Sequence, residues 1–220
     1  MTHIVLIGDI VASRRIRRRD AFQETLKTHL RAISRASKKR LASPYTLTIG
    51  DEFQAVYHKA GGILDDILAL KAALHPHEAR FAISCGEITT RINPRQALEM
   101  DGPAFHAARA QIDTLRKTGN WIGFTGVLPA QTPLPGALVD ILSTELDRWM
   151  PARIHILRRL LEETPVATIA QGIGISQSAV YRNIREGRLA SWQTIIRETE
   201  TLLAASLKSR HSRPRPRPRP

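Results

Sequence analysis

The opening run "HIVLIGD" is almost continuously apolar and stops at Gly8–Asp9, the pattern of a strand buried on both faces. Ser13 is a fitting helix cap. The periodicity then predicts a helix to about Lys39, with Phe22, Leu26, Leu30 and Ile33 spaced by four, four and three on one stripe. Ser43–Pro44 breaks that pattern. "YTLTI" and "FQAVYH" each alternate, and the Gly–Asp–Glu between them predicts an antiparallel hairpin. "GGILDDILALKAAL" predicts a helix with Ile63, Ile67, Leu70 and Leu74 inward. In the strand "RFAISCGEIT", Phe81, Ile83 and Cys85 face one way and the small Ala82, Ser84 and Gly86 the other. A helix over about Pro103–Lys117, burying Phe105, Ala108, Ile112 and Leu115, leads to a last short strand at "WIGFTG".

The first six elements, strand–helix–strand–strand–helix–strand, follow the ferredoxin-like split βαβ order. The expectation is an α/β (α+β) domain over 1–130 whose helices cover one sheet face and leave the other for function. From about Leu134 the pattern becomes helical, with a connecting helix over 131–150, a small all-α helix-turn-helix domain over 151–207 beginning at Pro151, and an Arg–Pro tail over 208–220. Alternating arginine and proline cannot build a core and favours extended chain.

Charge sharpens this picture. The net charge is +13, and six Lys/Arg with no acid lie in the last thirteen residues. Basic clusters remain at Arg14–Arg19 and around Arg182–Arg188, which favours polyanions: nucleic acid, nucleotides or anionic surfaces. One cysteine, Cys85, excludes an internal disulfide. No apolar run is long enough to span a bilayer, so no membrane partner is expected and a cytoplasmic location is.

The chemistry concentrates at the expected sheet edge. Asp9 ends the first strand, and Asp51–Glu52 sit in the hairpin turn beside it. Carboxylates gathered there repel unless a cation compensates, and Mg²⁺ (or Mn²⁺) suits oxygen ligands shared with phosphates. Asp9, the adjacent Ile10, Asp51 and Glu52 are the candidate metal residues; Asp9, Asp51 and Glu52 are also the candidate catalytic groups, with none assigned a role. Ser13, Arg14 and Arg15, at the start of the following segment, are candidate nucleotide-binding residues. The alternative for the turn is ordinary Gly–Asp turn chemistry with solvated side chains. His75 and His77, flanking Pro76, read as structural.

"TPVATIAQGIGISQSAVYRNIREG" (164–187) has the pattern of a helix-turn-helix. Gly172 and Gly174 permit the tight turn, Ile175 plugs the angle, Ser176 caps the second helix, Val180 and Ile184 pack it, and Gly187 ends it in a left-handed conformation. Gln177, Ser178, Tyr181, Arg182 and Arg185 fall on the outer face, where glutamine and arginine can read base edges and serine and tyrosine can hold phosphate. With Ser176 and Arg188 they form the candidate contact set for double-stranded DNA. The alternative is a small helical bundle used for protein contacts. "WQTIIRETETLLAASL" closes the chain and could support a homodimer.

These residues carry a resemblance. "IGDEF" is similar to the signature turn of GGDEF diguanylate cyclases, with Ile49 in place of the first glycine, and "LIGD" matches the strand that carries their first metal-binding aspartate. "LRKTGN" looks like a phosphate-binding segment of that family, with Arg116 where its lysine stands. "GPAFHAARAQI" resembles a helix of class III nucleotide cyclases, with Phe105 where their asparagine precedes Arg109. More closely, "IGDIVASR", "IGDEFQ" and "GPAFHAAR", followed by the helix-turn-helix, resemble the SatD-like bacterial proteins. The resemblance implies a nucleotidyl cyclase or palm-type fold that binds metal and a nucleotide or nucleoside triphosphate, and it adds Arg109, Arg116 and Lys117 to the candidate nucleotide-binding residues. Three functions follow as expectations: a DNA-binding regulator with a nucleotide/Mg sensor domain, a metal-dependent nucleotidyl cyclase or transferase controlled by the terminal module, or an inert palm scaffold that dimerises a DNA binder.

Overall fold

In a computed structural model describing residues 2–48, 50–127, 144–146 and 148–209, five strands form one sheet in the order β2-β3-β1-β4-β5. They are β1 (Thr2–Ile10), β2 (Leu41–Leu47), β3 (Glu52–Tyr57), β4 (Ala79–Glu87) and β5 (Ile122–Thr125). β1 lies between β3 and β4 and runs antiparallel to both. With α1 (Arg19–Ala36) and α2 (Ile63–Leu74) as the crossovers, this is the expected split βαβ arrangement. α3 (Pro103–Thr118) then carries the chain to β5, which joins β4 in parallel.

The alternation read in the strands holds. Ile4, Leu6, Phe53, Phe81, Ile83 and Cys85 pack into one core layer with α1 and α2. Val5, Ile7, Val56 and Ala82 pack into a second layer on the opposite face. That second face is not left open, as had been expected: α3 covers it with Ala104, Phe105, Ala108, Ile112 and Leu115, helped by Ile88, Ala97 and Met100. The small residues of β4 are there to let the helix approach. A Cβ on Gly86 would lie 3.2 Å from the Cα of Ala104.

Two further expectations change. The first helix begins at Arg19, not Ser13. Ala12 takes a left-handed conformation, Ser13–Arg15 form a single 3-10 turn, and Ile16 is extended, so the chain turns before α1 starts. Ser13 is buried and caps no helix. The expected connecting helix over 131–150 and the tail over 208–220 lie largely outside the described residues, as does Ile49.

The C-terminal part comprises α4 (Pro151–Leu161), α5 (Val166–Ile173), α6 (Gln177–Glu186) and α7 (Leu189–Ser209). Its buried Ile154, Ile156, Leu157, Val180, Trp192 and Leu203 belong to the same core layer as α1 and α2. Charged contacts fix the junction at the start of α2: Arg158 pairs with Asp65 at 2.8 Å, and Glu200 accepts from the Leu64 amide at 3.1 Å. Trp149 and Trp192 meet edge to face at 5.2 Å between ring centroids. Among the described residues no helix is long and apolar enough to cross a membrane.

α5 and α6 meet through the tight turn read in the sequence. Gly174 is left-handed and Ser176 Oγ accepts from the Ala179 amide at 3.1 Å. Gly172 lies within α5 and takes no part in the turn. Gly187 also departs from expectation: its backbone is right-handed, and Arg188 beside it has the positive φ of 48°. Space, not conformation, selects glycine at 187, because a Cβ would meet Asn183 O at 2.8 Å and Leu189 Cδ2 at 2.9 Å.

Candidate functional site

Strand register brings the site together. Asp9 on β1 stands opposite Glu52 on β3 and opposite Arg80 on β4. Asp9 follows Val5 and Ile7 by steps of two, Glu52 precedes Val56 by four and Arg80 precedes Ala82 by two. All three therefore point to the face covered by α3. On α3, Arg109 and Arg116 flank the buried Ile112 at spacings of three and four, so both arginines reach over the same row.

The contacts are charge-assisted. Arg116 donates through Nη2 to Asp9 Oδ1 at 2.8 Å and through Nε to Oδ2 at 3.3 Å. Arg80 Nη1 donates to Asp9 Oδ2 at 3.3 Å. Arg109 Nη2 donates to Glu52 Oε1 at 2.9 Å. Asp113 accepts from the third nitrogen of Arg116, Nη1, at 3.0 Å. The aspartate raises the pKa of the Arg116 guanidinium. Burial pushes the Glu52 carboxyl above its ordinary range; Arg109 opposes this, and the neighbouring Asp9 charge adds to the upward push. Two adjacent carboxylates in partial burial repel one another, and a bound cation would relieve that repulsion.

A cavity of about 490 Å³ opens beside Asp9, lined by Ile10, Ser13, Arg14, Arg15, Arg80 and Arg116 among others. It thus gathers six residues singled out in the sequence: Asp9, Ile10, Ser13, Arg14, Arg15 and Arg116. Ile10 is buried in the core layer beneath it. Glu52 and Arg109 stand in the adjoining row. Asp51 belongs to the turn and lies outside the register that pairs Asp9 with Glu52. Gly50 in that turn has φ 80°, and its carbonyl is held by Gln23 Nε2 at 2.8 Å. Lys117 is exposed and is not part of the cavity wall. Among the described residues no three carboxylate, imidazole or thiol groups converge as a ready-made metal cage. The donor set is instead a carboxylate pair with room and positive charge beside it. That fits Mg²⁺, which takes one or two protein carboxylates and completes its shell with water and phosphate.

Arg80 was not among the residues singled out. Its sequence signal is its place two residues before Ala82, on the small-residue face of the same strand; the register then sets it opposite the end of β1.

The Glu52 shift makes a pH prediction. Its folded pKa lies above the unfolded value, so the folded state holds more protons between the two, and stability falls as pH rises through that window. Glu52→Gln removes the penalty. In parallel thermal melts, the melting temperature of the variant relative to wild type is expected to climb as pH rises from about 4.5 to 7. A difference that stays flat with pH would show that burial does not tax this carboxylate.

The outer face of α6 is as expected from the sequence. Ser176, Gln177, Ser178, Arg182, Arg185 and Arg188 are exposed, and Tyr181 is 58% exposed. Val180 is fully buried and Ile184 packs against the core.

Residues 3–126 match the family model described as the SatD family. Two solved structures of a bacterial light-regulated adenylyl cyclase are similar to the chain at 17% and 18% identity, each with a TM-score of 0.44 and each aligned over 56% of this chain. The alignments span 74% and 43% of those two chains. No curated protein matched.

Proposed function

The chain belongs to the SatD family, and from its site we propose that it binds a magnesium–nucleotide at the Asp9–Glu52 edge and reads duplex DNA through α6, as a nucleotide-responsive regulator. The observation that carries the nucleotide reading is the cross-strand pair of Asp9 and Glu52 beside a cavity walled by Arg14, Arg15, Arg80 and Arg116. In the free protein the guanidiniums of Arg80, Arg109 and Arg116 neutralise the two carboxylates. Asp9 and Glu52 would hold the cation, with Asp51 near enough in sequence to join them from the turn. A bound Mg²⁺ would supply positive charge to both the carboxylates and the phosphates. The arginines, relieved of their carboxylates, then turn to phosphate oxygens, for which the planar guanidinium is well matched. Ser13, Arg14 and Arg15 bear on the same cavity from the 3-10 turn.

The DNA reading is supported by α6. Ser176 caps the helix, Val180 anchors it, and Gln177, Ser178, Tyr181, Arg182 and Arg185 stand outward at its solvent face. Gln177 and Arg182 would read base edges in the major groove, and Arg188 would hold the backbone. A second reading, nucleotidyl cyclase or transferase activity, is favoured by Arg109 and Arg116. They stand over the carboxylate row, where they could stabilise charge developing on a transferring phosphoryl group.

Two measurements divide these readings. Binding of each nucleoside triphosphate is titrated with and without Mg²⁺, and pyrophosphate release is followed in the same mixtures. Saturable, magnesium-dependent binding without release supports the regulator; sustained release supports the enzyme; no binding in either condition removes both. For DNA, Gln177→Ala with Arg182→Ala is expected to weaken duplex binding at least tenfold and flatten base preference, since each bidentate base contact is worth about 1–3 kcal/mol. Unchanged affinity and preference would remove α6 as the reading helix.

A further inference from the structure

The Asp9 cavity does not end at the nucleotide-sized space. It shares Val11, Ala12 and Arg15 with a second cavity of about 340 Å³. That second cavity shares Ile16, Arg17, Pro76 and His77 with a third of about 470 Å³, which reaches Arg18 and, on α1, Phe22 and Thr25. The three run into one another along the face between the Val11–Arg19 segment and the His75–Glu78 loop. We propose that they form one groove for single-stranded nucleic acid, with its end at Asp9; this rests on the reading of the Asp9 edge as a nucleotide site and extends it.

Charge argues for the occupant. Arg14, Arg15, Arg17, Arg18, Arg80 and Arg116 line the three cavities, against Asp9 and Glu78. Asp9 is already satisfied by Arg80 and Arg116. Among the described residues no carboxylate pairs with Arg14, Arg15, Arg17 or Arg18, and all four side chains are exposed. A row of unpartnered guanidiniums that continues past a mononucleotide's reach suits a repeating phosphate backbone better than one triphosphate. The far end adds what a base requires. His77 is exposed, and its ring meets Phe22 edge to face at 4.7 Å between centroids, beside Pro76. Ring faces next to a cationic track are how single strands are held without sequence preference. A single strand can lay its backbone along the arginines and place a base against the rings.

The test uses the full chain and two labelled probes, an eight-nucleotide oligo-U and an eight-nucleotide oligo-dT, followed by fluorescence anisotropy across a salt series. Engagement of about four phosphates predicts a slope near −3 in log affinity against log salt. The double variant Arg17→Ala, Arg18→Ala alters only exposed side chains outside the Asp9 cavity. It is expected to weaken at least one of the two probes tenfold or more and to make the slope shallower by about 1.4. Magnesium-dependent mononucleotide affinity is expected to stay at the wild-type value. Photocrosslinking with bromouracil in the probe is expected to mark residues 16–25 or 75–77. The proposal is overturned if the double variant leaves both affinities and slopes unchanged, or if crosslinks fall only on α6 or on residues 208–220. A failed nucleotide reading looks different: mononucleotide binding would be absent from the wild-type protein itself, whatever the oligomers do.

Discussion

Replacing Asp9 by asparagine is expected to abolish the magnesium dependence of nucleotide binding, with an affinity loss on the order of 100-fold in the presence of Mg²⁺. Asp9 is only 6% exposed, and among the described residues it is the one carboxylate paired in register with both neighbouring strands. Asparagine keeps the shape and one acceptor but removes the charge that would hold a cation. Hydrogen bonds to charged groups contribute about 1.5–3 kcal/mol, and every 1.4 kcal/mol is tenfold in affinity. The same change frees Arg80 and Arg116. Arg116 is half-exposed and can turn to solvent, so the cost to stability is expected to be modest, about 1–2 kcal/mol. Freed guanidiniums bind phosphate on their own, so metal-free affinity for a triphosphate is expected to hold or rise. Isothermal titrations of wild type and Asp9→Asn, each with and without Mg²⁺, check this. Equal magnesium dependence in the two proteins would remove Asp9 from the site.

Where the sequence was legible, a strong local signal had one physical outcome. Continuous apolarity put β1 in the centre of the sheet, and alternation in β4 sorted Phe81, Ile83 and Cys85 from Ala82, Ser84 and Gly86. Ser176 capped α6 because a serine before an amphipathic run has a free amide to satisfy. The misreadings came where one signal has two outcomes. Small residues on a sheet face accommodate a ligand or a close helix, and only the position of α3 decides between them. A serine after a strand can cap a helix or turn inward, and the left-handed Ala12 decides. Which acid of Asp51–Glu52 faces Asp9 depends on where the turn ends. Thr48 donates its amide to the Glu52 carbonyl at 2.8 Å, so the ladder resumes at Glu52 and leaves Asp51 in the turn. Arg80 escaped notice because strand pairing across more than seventy residues sets its neighbour.

The largest effect on stability is expected far from that site, at Asp66. Asp66 is 3% exposed, and its carboxylate accepts from Ser37 Oγ at 2.6 and 2.7 Å, Tyr57 OH at 2.6 Å and Arg40 Nη2 at 2.9 Å. Tyr45 OH continues the network to Tyr57 OH at 2.6 Å. Burial pushes the Asp66 carboxyl upward, and its hydrogen bonds from Ser37 and Tyr57 oppose the push. Alanine there would strand a serine, a tyrosine and a half-buried guanidinium at once. Removing one partner of a buried charged pair costs about 3–5 kcal/mol, a large share of the roughly 5–15 kcal/mol that holds a domain folded. Tyr57→Phe deletes one hydroxyl and leaves the Asp66–Arg40 pair, so about 1 kcal/mol is expected. Urea midpoints for the two variants separate a charged hub from a set of independent bonds. Comparable losses in both would mean that Asp66 is merely one more hydrogen-bond partner. The network lies beside the junction of α2 with α7. Arg40 packs over Gly62, whose added Cβ would sit 2.5 Å from the guanidinium, and Glu200 of α7 accepts from the Leu64 amide beside it. Tyr57 lies five residues along β3 from Glu52, about 17 Å at strand spacing. Asp66→Ala is therefore expected to loosen the docking of α7 on α2, read as faster amide exchange in both helices. Nucleotide affinity measured well below the melting temperature should stay within about twofold of wild type, because no member of the network touches the Asp9–Glu52 edge.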